Sequence, residues 1–153
     1  MRTDILGLHN SKVIKMIVST RGRYAIRVML DLAVHSEDGY IPMKQVAERQ
    51  DISLKYLEKI MPLLVKEKMV EGVHGKGGGY KLTRAPKDYN MGEIVRLTEG
   101  TLAPVACLEC NAPVCEKKEG CLTLPMWSKL NDLVNNFFDE ITLDDLLNRK
   151  IEI

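Results

Sequence analysis

Apolar residues in the first half of the chain recur at intervals of three and four. Between residues 20 and 36 they fall at Tyr24, Ala25, Val28, Met29, Leu32 and Ala33, the spacing of one buried helix face. Ser19 or Thr20 can cap this helix, and Glu37-Asp38-Gly39 ends it. Pro42 suits a helix start, and a short helix is predicted over residues 43–49 with Val46 and Ala47 inward. Gln50-Asp51-Ile52 reads as a tight connection. Ser53 then caps a third helix reaching about residue 68. Its apolar stripe is Leu54, Leu57, Ile60, Met61, Leu64 and Val65. Pro62 lies within that stripe and, lacking a backbone donor, is expected to bend or shorten the helix.

The period then changes. Residues 69–74 and 80–83 read as two strands around Gly75-Lys76-Gly77-Gly78-Gly79, a hairpin with a glycine-rich tip. Residues 91–97 read as a helix with Gly92, Glu93 and Arg96 on one face and Ile94, Val95 and Leu97 on the other. A long helix is predicted over 123–138. Trp127, Leu130, Val134, Phe137 and Ile141 form a heptad-like seam on it. That seam is too apolar to stay wet, so it packs on the same domain or on a second subunit. Thr142 and Asp145 have capping-box spacing ahead of a final short helix over 143–148. The order of elements is that of a winged helix-turn-helix. The expected fold is mostly α, with a small β-hairpin wing and a long C-terminal helix.

That order suits double-stranded DNA. The first turn of the third helix would enter the major groove and bring side chains to base edges. Ser53, Lys55, Tyr56, Glu58 and Lys59 lie there. Glu58 is an acid facing phosphates. It is tolerable where it accepts from a cytosine amino group or rejects wrong bases. His74 and Lys76 sit at the wing tip, where Lys76 would meet phosphate or enter the minor groove. Arg21 and Arg23 can join the first helix's N-terminus in holding phosphates. The plain alternatives are that Tyr56 is core and that the glycine run is an ordinary turn. The run is no P-loop, because Gly77 follows Lys76. It is no dinucleotide fingerprint either, because Tyr80 stands where the last glycine belongs.

Charge sharpens this picture. The chain has 153 residues with a formal net charge of +1, but residues 1–90 carry +6 and residues 91–153 carry −5. A basic part beside an acidic part fits a polyanion partner at one end, or else solvated faces. The apolar share of 45% and charged share of 28% are those of a globular chain. No apolar run approaches a membrane span, and the N-terminus does not read as a secretory signal. A cytoplasmic location is expected. Histidine occurs only at positions 9, 35 and 74, with no nucleophile–base pairing, so an enzyme is not expected. A protein-interaction adaptor built on the acidic half is the other non-enzymatic reading.

All four cysteines lie in one short segment, as Cys107-x2-Cys110-x4-Cys115-x5-Cys121. In a cytosolic chain such a cluster points to metal or redox chemistry rather than to a disulfide framework. Thiolates are soft ligands for iron–sulfur clusters and for zinc. Structural zinc could use the same four thiolates, although the last spacing is loose. A thiol–disulfide switch could pair Cys107 with Cys110 or Cys115 with Cys121. A redox enzyme is the weakest reading, since no βαβ setting surrounds the Cys-x-x-Cys.

Taken together, ISLKYLEKI, GKGGGYKL and MGEIVRLTEG, with STRGRYAIRVMLDLA before them and TLDDLL after, resemble the Rrf-two family of bacterial winged-helix regulators. The resemblance runs from residue 16 to residue 148. It implies a homodimer joined through the long C-terminal helices, with the Trp127 seam as interface, on an inverted-repeat operator. It divides the chain into an N-terminal extension (1–15), a DNA-binding domain (16–100), a cysteine-rich sensor loop (101–122) and the dimerisation and C-terminal helices (123–153). Cluster-binding members place three cysteines between wing and dimer helix. Cys110, Cys115 and Cys121 match, and Cys107 can stand in for Cys110. The implied cofactor is a 2Fe–2S or 4Fe–4S cluster, with zinc or no metal as the alternatives. Some members supply a histidine three residues after the last cysteine, where this chain has Leu124. Others supply an acid near the start of the first helix, and residues 19–27 contain none. The spare cysteine, or Glu109 or Glu116, would then complete the set.

Overall fold

The structure, a computed structural model, describes residues 18–152. The expected extension over residues 1–15 lies outside them. Six helices and one hairpin follow in the order α1 (Thr20–Val34), α2 (Met43–Gln50), α3 (Leu54–Lys66), β1 (Val70–Val73), β2 (Gly79–Leu82), α4 (Met91–Glu99), α5 (Leu124–Glu140) and α6 (Leu143–Leu147). This is the winged helix-turn-helix expected from the hydrophobic pattern.

Local chemistry sets the boundaries. The Ser19 side chain accepts from the Gly22 amide, and that of Ser53 from the Tyr56 amide, so α1 and α3 start where a cap satisfies a free donor. Asp51 ends α2 in the left-handed region at φ 51°, which Asp tolerates better than most residues. It forms the tight turn into α3. Helix α3 continues past Pro62 and ends at Lys66. The core is built from Ala25, Val28 and Met29 of α1, Val46 of α2, and Leu57 and Ile60 of α3, all fully buried.

Two expectations fail at the ends of the α3 stripe. Leu54 is 43% exposed, and Val65 is also exposed. Both lie on one edge of the stripe, turned from the face that Leu57, Ile60 and Leu64 bury, and helical spacing alone does not show how wide the buried face is. Gly92, expected on the polar face of α4, is buried beneath Arg96 and Asp139.

The hairpin pairs Val70 with Leu82 and Val73 with Gly79. Its outer edge is not free. Ile41 and Tyr80 exchange two backbone hydrogen bonds of 2.9 Å each, so the segment ahead of α2 holds the wing against the helices. A Cβ on Gly79 would strike the Ile41 backbone, which accounts for one glycine of the run. Gly75 and Gly77 need φ values of 98° and 77° at the tip, where glycine alone is unstrained.

Tyr89, which helical and strand periodicity does not single out, is fully buried under the wing. Its hydroxyl donates to the Met69 carbonyl at 2.7 Å and accepts from the Thr83 and Arg84 amides at 3.0 and 2.8 Å. Beside it the chain's end is stitched back. The Met91 amide donates to the Ile141 carbonyl at 2.8 Å, and the Leu143 amide to the Tyr89 carbonyl at 2.9 Å. Leu143 of α6 is fully buried in the same core, and the Thr142–Asp145 capping box forms as expected.

Helix α5 is different: none of its residues is fully buried. The expected seam is split. Phe138 and Ile141 pack against the core, while Phe137 is 58% exposed, together with Met126 and Leu133. The apolar arc of α5 is wider than one seam. Its inner edge, with Asn135 and Asp139, meets Arg96 of α4, and its outer edge faces away.

Candidate nucleic-acid interface and cysteine loop

Ser53, Lys55, Glu58 and Lys59 all stand exposed on the first turns of α3. Tyr56 is half-buried. Its ring meets that of Tyr24 edge-on, with centroids 5.2 Å apart, and packs against the core. Tyr56 therefore joins the start of α3 to the start of α1. The Arg27 guanidinium lies 5.4 Å above the Tyr24 ring. It also donates to the side chain of Gln50, at 3.2 Å, and to that residue's carbonyl.

A second tie holds α2. Asp31, buried on α1, accepts from Arg49 Nη2 at 2.6 Å, from Arg49 Nε at 3.0 Å and from Gln50 Nε2 at 2.9 Å. Burial pushes the Asp31 carboxyl up, but the hydrogen bonds from Arg49 and Gln50 and the nearby positive charge outweigh it, so its pKa lies below the ordinary value. Sequence periodicity misses this network, because Asp31 sits on an otherwise apolar face and its partners come from another helix.

Arg21 and Arg23 are exposed at the start of α1, and Arg23 Nη2 donates to Thr20 Oγ1 at 3.2 Å. The helix N-terminus beside them is not an empty anion site. Glu99 Oε1 accepts from the Ser19 amide at 3.1 Å and from the Ser19 hydroxyl at 2.6 Å. The positive end of α1 thus already faces a carboxylate of the chain itself. His74 and Lys76 are exposed at the wing tip.

The loop between α4 and α5 carries the cysteines, with short 3₁₀ turns at Ala106–Leu108 and Lys118–Gly120. All four are free thiols. Cys107, Cys110 and Cys115 are exposed and Cys121 is half-buried. Cys107, Cys115 and Cys121 line one cavity of about 190 Å³ with Leu108, Val114 and Leu124. Cys110, Glu109 and Glu116 do not line it. Hydrogen bonding from the Thr123 hydroxyl, 3.5 Å away, holds the Cys121 thiol below its ordinary pKa, which favours the thiolate that a metal needs. Among the described residues no three His, Cys, Asp or Glu side chains lie close enough together to hold an ion. Free thiols are the soft donors that an iron–sulfur cluster or zinc takes.

The fold and its exposed basic elements define a winged-helix DNA-binding regulator. The Rrf2 family, described as iron-dependent transcriptional regulator, matches residues 18–149, and the chain belongs to that family. It is 36% identical over 135 residues to the HTH-type transcriptional regulator IscR of Pectobacterium carotovorum, covering 88% of this chain and 81% of the relative. Among solved structures it is similar to CymR, the global cysteine regulator of B. subtilis, at 31% identity and a TM-score of 0.72. That match covers 87% of this chain and 97% of CymR. It is also similar to T. potens IscR, at 34% identity and a TM-score of 0.69, over 88% of each chain. The protein is a DNA-binding transcriptional regulator of this family and not an enzyme. No helix among the described residues is long and apolar enough to cross a membrane.

Proposed function

We propose that the chain is a cytoplasmic, dimeric, sequence-specific regulator whose cysteine loop binds an iron–sulfur cluster and reports its presence to the DNA-binding helices. The observation that carries this reading is the cavity shared by Cys107, Cys115 and Cys121 at the foot of α5. Cys110 stands outside it, as a spare thiol within the same loop. A bound cluster would supply a cross-link between thiolates that is lost when iron is scarce or oxidants attack.

The chain's own residues do the rest. Ser53, Lys55, Tyr56, Glu58 and Lys59 would face the major groove. His74 and Lys76 would follow the backbone from the wing, and Arg21 and Arg23 would hold phosphates. A second copy covers the outer face of α5, where Met126, Leu133 and Phe137 are left exposed. Two recognition helices then address an inverted repeat. Their separation decides affinity, because half-sites are spaced by the helical turn of DNA.

The test is iron and acid-labile sulfide content, with a visible spectrum, on protein purified without oxygen. Matching iron and sulfide that disappear in Cys115→Ala and Cys121→Ala support the cluster. Colourless protein containing zinc makes the loop structural. Colourless, metal-free protein leaves a thiol switch, which the exposure of the thiols and the lowered pKa of Cys121 favour as the second reading.

A further inference from the structure

The residue just before the sensor loop is bonded to the start of the first helix. Glu99 is the last residue of α4, and Gly100, with φ 81°, turns the chain into the loop. The Glu99 carboxylate accepts two hydrogen bonds from Ser19, eighty positions away, which caps α1. Gly22 leaves room for this approach, since a Cβ there would lie 2.5 Å from Glu99 Oε1. From the same first turns of α1, Arg21 and Arg23 reach solvent and Tyr24 meets Tyr56 of α3. One run of contacts therefore leads from loop to Glu99, Ser19, the α1 start, Tyr24 and the first turn of α3.

We propose that Glu99 is a positioning residue that ties the start of α1 to the beginning of the sensor loop, so that loop closure and the placement of Arg21, Arg23 and Tyr56 are one coupled event. The inference rests on the loop being the sensor and on α1 and α3 facing DNA. In the structure the cysteines have not converged and the Glu99 carboxylate is held on Ser19. Closing the loop around a metal shifts Gly100 and the α4 terminus, and the α1 cap loses its carboxylate partner. The two arrangements differ in contacts, as any transmitted signal requires. Glu99 also places a negative charge at the N-terminus of the helix that carries Arg21 and Arg23, so its position would weigh on the anion affinity of that helix end.

The experiment compares two forms of the full chain, one as purified without oxygen and one after chelation and alkylation of the four thiols. Each is titrated against a duplex selected from a random-sequence pool, with amide hydrogen exchange read at Gly22 and Arg23. In the natural chain the two forms should differ in affinity by about tenfold, within the usual range for coupled sites, and exchange at both amides should be faster in the unmodified form. Glu99→Ala should bring the ratio toward one and make exchange fast in both forms. Glu99→Gln, whose amide oxygen still accepts from Ser19, should keep the ratio. Ser19→Gly, a mild change at a cap, should lower the ratio from the opposite partner and serves if Glu99→Ala folds poorly. A Glu99→Ala protein that keeps the natural ratio overturns the tie and leaves the sensor intact. A natural chain whose two forms bind DNA equally overturns the sensor reading, and the tie falls with it.

Discussion

At the scale of single residues, position within a helix matters as much as side-chain type. Leu54 and Leu57 belong to the same apolar stripe of α3, yet Leu57 is fully buried while Leu54 stands exposed at the stripe's edge. Leu57→Ala should cost about 2–5 kcal/mol in urea unfolding, as buried leucines do, and Leu54→Ala less than about 1 kcal/mol. Asp31 gives the opposite lesson, a charge in an apolar face that is stable because Arg49 and Gln50 satisfy it. Its pKa is depressed in the fold. Its contribution is therefore complete above the ordinary Asp range near pH 4 and is lost as pH falls below it. Melting temperature plotted against pH should fall on the acid side for the natural chain and flatten there for Asp31→Asn, which should also melt lower at neutral pH. The apolar run around Asp31 is legible in sequence, but the partners that make the charge tolerable are not.

Among the elements, the legible ones are those that capping and period specify locally. Ser19, Ser53 and Thr142 each cap the helix expected of them. The glycine-rich tip likewise marks the hairpin. Tyr89 and the docking of α6 were hidden because they depend on backbone pairing between distant segments, Asn90 with Thr142 among them. Helix α5 shows the limit of a heptad rule. Its spacing joins Phe137 to Ile141, whereas the structure sends Ile141 and Phe138 inward and leaves Phe137 outside. In the proposed dimer a second copy covers this outer face. Leu133→Asp should convert a dimer into monomers in sedimentation velocity at micromolar concentration while leaving the far-ultraviolet circular dichroism unchanged, since Leu133 contributes little to the chain's own core.

For the whole molecule, the opposed charges of the two parts give DNA binding a direction. Phosphate contacts release counterions, so affinity should fall steeply with salt. Lys76→Ala should weaken binding evenly across sequences and reduce the slope of log affinity against log salt by about one. The family and the cysteine loop were both legible from ordered motifs. Which thiols share a cavity was not, because loop geometry follows no period. One clamp described above also bears on the far end of the molecule. Hydrogen bonds and core packing anchor the C-terminal end of α5 through Asn135, Phe138 and Asp139 and through Ile141 at its C-cap. A rotation of the helix about that anchor, beside Met91, would carry its other end, next to the cysteines, the furthest. Seventeen residues span about 25 Å, so a rotation of about 10° at the anchor would sweep the thiol end through about 4 Å.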